Sequence, residues 1–246
     1  MRRTEEIMGM PITIDVRDGE AGMGMDEAFA ELRRIDAVFS PFAPDSAVSR
    51  MNDGRLRIDD ASAEVQDVLA RCERYEASTG GFFSPWHGAV LDPSGYVKGW
   101  AIERACAVLD AHGHRAYYVD AGGDVMTRGS GDDGQPWRIG IRHPVQRSSV
   151  VRVVLGGDLA VATSGTYEKG AHIYDPHTGE PADELVSLTV VGPSIVEADV
   201  QATAAFAMGG RAIDYLEGLP GYEAYAIGRD LRATWTTGFD ALCAAG

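Results

Sequence analysis

Asp199 and Thr203 stand one helical turn apart in a stretch running from Ser194 to Met208. Ser194 followed three residues later by Glu197 has the spacing of a capping box, which predicts a helix beginning here. At about 100° per residue, Glu197 and Gln201 fall together on a polar face expected to meet solvent. Asp199 and Thr203 fall on the stripe that carries Val196 and Phe206. A carboxylate in apolar surroundings must meet a cation or hydrogen-bond donors. Its oxygen and the threonine hydroxyl are a hard donor pair, suited to Mg²⁺ shared with a phosphate. A buried aspartate satisfied by backbone amides or an arginine is the alternative, and this helix alone does not choose between them.

Three other stretches carry chemical potential. Lys98 is expected in the first turn of a helix opened by Asp92-Pro93-Ser94-Gly95, where the macrodipole favours acids over bases. An anion docked on that helix start would explain the lysine; a solvated lysine would also do. Phe82 and Phe83 follow a Gly-Gly pair and precede Ser84, which suits a flat ring ligand as well as plain core. His172, Tyr174, Asp175 and His177 crowd around a Pro/Gly turn. They lack zinc-site spacing, so His172 reads either as a general base near neutral pH or as a structural histidine bonded to Asp175.

These groups need a scaffold, and the chain has one. Its 246 residues are 45% hydrophobic with no linker, repeat or low-complexity block, which predicts one domain with a sizeable core. Residues 8–16 alternate as a strand, and 26–39 and 60–78 have helical periods ended by Pro-rich and Gly-Gly signals. Strands are expected at 116–119, 125–128, 137–142, 150–155, 159–167, 185–191, 222–228 and 233–237. The pattern predicts an α+β fold with a mixed, largely antiparallel sheet and packed helices. A net charge of −15 without a basic stripe excludes nucleic acid as a partner. Cys72, Cys106 and Cys243 are too scattered for a disulfide framework or a CxxC pair. No apolar run is long enough to span a bilayer, and the N-terminal residues lack a signal-peptide core, so the expected location is cytoplasmic.

Taken in order, Met8-Gly9, residues 40–52, 79–85 and 92–101, Gly122-Gly123-Asp124, 162–165, 172–179 and Glu197-Ala198-Asp199 with Thr203 form a set that resembles the FAD:protein FMN transferases, the ApbE flavin transferase family. The resemblance runs over nearly the whole chain. It implies an enzyme that cleaves the diphosphate of FAD with Mg²⁺, links FMN through its phosphate to a Thr or Ser of an acceptor protein, and releases AMP. By position, Asp199 and Thr203 match the family's metal ligands, and Gly95 matches a loop oxygen that only its carbonyl can supply. Met8, Phe42, Phe82, Phe83, Ser84, Asp92, Lys98 and Tyr174 match FAD-contacting positions, and His172 matches the histidine associated with the acceptor hydroxyl.

The chain departs from the family pattern in two places. Ser84 stands where an aspartate is common, and the stretch from Trp86 to Asp92 is short. Two other activities use the same site chemistry: an FAD pyrophosphatase, in which water replaces the acceptor, and a non-catalytic FAD-binding protein.

Overall fold

The periodicities resolve into twelve strands and six α-helices among the described residues, which in this computed structural model are 1–146, 148–165 and 173–244. In chain order these are β1 (Arg2–Ile7), β2 (Met10–Val16), α1 (Gly22–Phe39), α2 (Ala47–Asn52), α3 (Ala63–Ser78), β3 (Trp86–His87) and β4 (Val90–Leu91). There follow α4 (Ser94–Ala111), β5 (Tyr117–Ala121), β6 (Asp124–Arg128), β7 (Trp137–Arg142), β8 (Val150–Gly156) and β9 (Ala160–Gly165). The chain continues through β10 (Leu185–Gly192), α5 (Ile195–Ala207), α6 (Ala212–Glu217), β11 (Glu223–Gly228) and β12 (Ala233–Trp235).

Eight strands form one sheet in the order β1-β2-β5-β6-β9-β10-β11-β12. The α+β expectation holds, and the sheet expected to be largely antiparallel is antiparallel at every pair. The helices cover one face, where Phe29, Leu32, Ile102, Leu109 and Phe206 pack on Ile12, Val119, Leu188 and Val190. A smaller apolar cluster on the other face joins Ile141 and Val154 of the separate β7–β8 ribbon to Val161, Val191, Tyr225 and Ile227. No helix of the described residues is long and apolar enough to cross a membrane.

Five elements escaped the sequence reading: β1, α2, the two-residue strands β3 and β4, and α6. β1 is charged at Arg2, Arg3, Glu5 and Glu6 and only partly buried, so its composition hides it; charge is a usual protection for an edge strand. α6 is six residues long, too short to show a period.

Helix α5 is the central buried element. Ser194 caps it as expected, its hydroxyl accepting from the Glu197 amide at 3.4 Å. The polar face does not meet solvent, which corrects the sequence expectation. Gln201 is buried, and a chain of side-chain hydrogen bonds absorbs the polarity. Tyr75 Oη donates to Glu197 Oε2, Gln201 Nε2 donates to Glu197 Oε1, and Tyr215 Oη donates to Gln201 Oε1, each at 2.8 Å. Glu197 is thereby drawn toward α3 instead of reaching back to complete the capping box.

Close approach of α4 to α5 depends on Gly99. A Cβ there would meet the Ile195 carbonyl oxygen at 2.9 Å and the Val196 Cα at 3.0 Å, both backbone atoms that cannot step aside. Gly99→Ala is therefore expected to destabilise the fold by about 1–3 kcal/mol, the usual cost of overpacking. Denaturant unfolding measures it, and an unchanged midpoint would show that the helices separate freely.

Candidate active site

Seven segments converge on one cavity of about 580 Å³ beside the buried end of α5. They are the β1–β2 turn, the loop after α1, the loop after α3, the start of α4, the β5–β6 turn, the end of β9 and the segment after residue 172. Eleven of the residues singled out from the sequence line this cavity: Met8, Phe42, Phe82, Phe83, Ser84, Asp92, Gly95, Lys98, Tyr174, Asp199 and Thr203. His172, singled out as a base, lies outside the described residues.

Each position has a local cause. Met8 sits in the two-residue turn joining β1 to β2 at φ 57°, a left-handed conformation costing an L-residue about 1–2 kcal/mol. Its amide donates to Asp36 Oδ2 at 3.3 Å, tying the turn to α1. Asn52 at the end of α2 exchanges two hydrogen bonds with the Leu91 backbone, at 2.8 and 2.9 Å, and so docks β4 beside the cavity. Asp92 accepts from the Ser94 amide at 3.0 Å and thereby shapes the start of α4. Ser84 accepts from the Trp86 amide at 3.1 Å, a turn-forming contact that a hydroxyl supplies.

The polar wall is a three-residue ion cluster. Lys98 is the fifth residue of α4 and lies beyond its first turn, which corrects the sequence expectation. Its ammonium is not at the helix start; it lies 2.6 Å from Asp124 Oδ2 and 3.2 Å from Asp199 Oδ1. The Gly99 amide donates to Asp199 Oδ2 at 2.8 Å, and the Thr163 amide donates to Asp124 Oδ1 at 2.9 Å. Both carboxylates are almost fully buried, so two negative charges face one positive charge in poor solvent. Burial pushes the Asp199 carboxyl up, Lys98 pulls it back and Asp124 adds to the rise, leaving it at about 7. Burial also opposes the Lys98 charge, but the two carboxylates outweigh it and hold the ammonium above the usual lysine range.

Sequence reasoning placed Asp124 in a motif without giving it a role at the site. The signal was there: Gly122 and Gly123, at φ 61° and 100°, make a two-residue hairpin turn that only glycine adopts easily. That turn puts Asp124 at the first position of β6, directly under α4. Arg211 was missed altogether. Its guanidinium lies 5.0 Å from the Phe82 ring centroid, while His177 meets the same ring edge-on at 4.5 Å.

The aromatic residues divide by burial. Phe83 belongs to the core and packs edge-on against Tyr75. Phe42 is 90% exposed at the cavity rim, with Tyr174 also exposed and edge-on to His87. Both rings stand at the surface beside the cavity.

The oxygens on the inner wall are suited to a hard cation. Asp199 and Thr203 line the cavity with Gly95, whose missing Cβ would stand 3.2 Å from Phe83 and 3.6 Å from the Thr203 hydroxyl. A carboxylate, a hydroxyl and a main-chain carbonyl are hard oxygens, a donor set that would suit a hard divalent cation such as Mg²⁺. Among the described residues no three His, Cys, Asp or Glu side chains gather to cage a metal. The excess negative charge of the cluster gives a cation an electrostatic reason to bind.

The fold has known counterparts. A family model described as the ApbE family matches residues 8–92 and 86–226. The FAD:protein FMN transferase of Vibrio cholerae is 38% identical over 129 residues, which is 48% of this chain and 39% of that protein. The FAD:protein FMN transferase of Escherichia coli K12 is 31% identical over 129 residues, 48% of this chain and 37% of that protein. The chain thus aligns with less than half the length of these curated relatives. Among solved structures, the flavin transferase ApbE from Vibrio cholerae superposes with a TM-score of 0.87 at 24% identity, covering 98% of both chains. The ApbE protein from Thermotoga maritima gives 0.88 at 21% identity, covering 100% of this chain and 99% of that one. The apo flavinyl transferase ApbE from Pseudomonas stutzeri gives 0.83 at 26%, covering 100% and 97%.

Proposed function

This chain belongs to the ApbE family, and from that premise we propose that it is a Mg²⁺-dependent FAD:protein FMN transferase. The observation that carries the reading is one cavity with Asp199, Thr203, Gly95 and Lys98 on its inner wall and Phe42, Phe82 and Tyr174 near its mouth. Its volume, about 580 Å³, lies within the usual range for small-molecule sites. The matched span and the continuous core on the helical face support one domain. A cytoplasmic setting belongs to the same reading and draws support from Cys72, Cys106 and Cys243, which are free thiols.

In the proposed reaction, the hydroxyl oxygen of an acceptor Thr or Ser attacks the phosphorus of the FMN half of FAD. The bond from that phosphorus to the bridging oxygen breaks, and AMP departs with that oxygen. Asp199, Thr203 and the Gly95 carbonyl would hold Mg²⁺, which when bound supplies charge neutralisation on the diphosphate. Lys98 places a fixed positive charge on the same wall, and its two carboxylate partners prevent it from swinging away. Such preorganised charge is the main protein contribution to phosphoryl transfer.

We assign the hydroxyl proton to His172. His172→Ala should then slow transfer by about 10²-fold, the lower range for a lost general base, with FAD affinity unchanged. A rate equal to the parent's would remove that role.

Phe42 is assigned to stacking on a flat ring of FAD. Phe42→Ala should leave thermal stability within about 0.5 kcal/mol, because the ring is already in solvent. It should weaken FAD binding by about three- to tenfold, the worth of one aromatic contact. Calorimetric titration with FAD reads the difference, and an unchanged affinity would return Phe42 to the surface.

The function itself is tested with FAD, Mg²⁺ and acceptor proteins containing Thr or Ser flavinylation motifs. Acceptor mass and free AMP are followed together. An FMN adduct with stoichiometric AMP is expected. FMN and AMP without an adduct would mean a pyrophosphatase, and FAD that persists beside a competent acceptor would mean a binding protein.

A further inference from the structure

β7 has a free edge. It pairs with β8 along one side, while its other side makes no backbone hydrogen bond to any described residue. The outer side of β8, by contrast, is bridged to Cys243 and accepts from the Ala244 amide.

All six residues of β7 line a second cavity of about 260 Å³. Alternate side chains of a strand point to opposite faces, and a cavity touching all six residues fits one that follows the strand's unpaired edge. Its floor is the face of the sheet turned away from the helices, with Val125 and Val161 among its residues. The roof is fixed. Trp137 packs edge-on against Tyr118 with ring centroids 5.4 Å apart, and its indole N–H donates to the Arg128 carbonyl at 2.9 Å. At the other end the groove opens toward the active site, because Gly122 and Thr163 line both cavities.

We propose that this groove seats an extended, acidic segment of the acceptor polypeptide as a third strand on β7, leading its Thr or Ser past Gly122 and Thr163 to the FAD site. The proposal rests on the transferase reading above and names where its protein substrate binds. Free N–H and C=O groups on a fixed edge are a template for strand addition, and six residues give about 20 Å of it. Main-chain pairing supplies affinity that does not depend on sequence. Charge supplies the selection. Arg138 and Arg142 are exposed along this strand, and neither forms an ion pair with a described residue, on a chain whose net charge is −15. Asp120 on the groove floor accepts from the Gly123 amide at 2.9 Å and feels the charge of Arg142 without forming an ion pair with it. The two guanidinium groups keep their hydrogen-bond donors for a partner, and they favour carboxylates.

The test uses the full chain with FAD, Mg²⁺ and synthetic dodecapeptides holding one central Thr flanked by either Asp and Glu or Lys. The parent should transfer FMN preferentially to the acidic peptides. Saturating acidic peptide should slow amide exchange in residues 137–142. The double variant Arg138→Glu, Arg142→Glu should raise the half-saturating concentration of acidic peptide about tenfold, in line with two exposed charge pairs. It should also shift preference toward the lysine peptides while FAD affinity stays within twofold. Transfer with equal preference in parent and variant, and no slowing of exchange in 137–142, would overturn the groove alone. If the parent labels no peptide and no acceptor protein, the transferase reading fails and the groove assignment falls with it.

Discussion

Asp199→Asn will lower Mg²⁺-dependent turnover by about 10³-fold while the protein remains folded. The amide keeps the shape of the side chain and can still accept from Gly99, the contact now made at 2.8 Å. It removes the charge. A neutral oxygen is a poor Mg²⁺ ligand, and removing one preorganised electrostatic contact to a developing charge costs about 10²–10³ in rate. Here the ligand and the electrostatic partner are lost together, so the upper end applies. A related effect follows in the parent protein. Because burial holds the Asp199 carboxyl well above the usual carboxylate range, falling pH protonates it and should weaken Mg²⁺ activation. The variant should lack that dependence. Turnover is measured at saturating FAD across Mg²⁺ concentrations at each pH. Full activity in Asp199→Asn would remove Asp199 as a ligand.

Lys98→Met produces the largest loss of stability. The ammonium lies 2.6 Å from one almost fully buried carboxylate and 3.2 Å from another. Without it, two buried carboxyl groups are left beside each other with only amide hydrogen bonds to hold them, and one must take up a proton to relieve the repulsion. Breaking a buried pair by removing one partner costs about 3–5 kcal/mol. For a chain of this size that lowers Tm by at least about 6 °C. Adding Asp124→Asn should recover part of the loss, because the repulsion disappears with one of its partners, and that coupling separates the ion cluster from lost packing. Added Mg²⁺ should raise the Tm of the variant more than that of the parent. A Tm within 2 °C of the parent would mean that Lys98 behaves as a surface lysine.

Part of the cavity was legible from local rules, while Met8, Phe42, Asp92 and Tyr174 came only from the resemblance to the ApbE family. The Ser194 cap sets the phase of α5, and that phase puts Asp199 and Thr203 on one side. Pro93 and Gly95 mark where α4 starts, and the prolines after Phe39 force the loop that carries Phe42. Patterns spread along the chain then collected in one place because short turns such as Met8-Gly9 and Gly122-Gly123 bring strand ends together.

What could not be read was the partner of each charge. Periodicity shows that a face is polar but not whether water or another helix covers it. Glu197 and Gln201 were therefore expected at the surface, whereas hydrogen bonds from Tyr75 and Tyr215 hold them in a network that leaves Gln201 buried and Glu197 half-buried. The same limit hid the link from Lys98 to Asp124, 26 positions later in the chain. His172 lies outside the described residues, so its expectation rests on sequence alone.

Sequence by itself determined the local conformations that surround the cavity, because capping, turn and alternation rules act over a few residues. Only the tertiary structure decided that one lysine serves two buried carboxylates, and that β7 keeps an open edge beside the cavity. Both depend on which distant segments meet, and that is set by burial across the whole core.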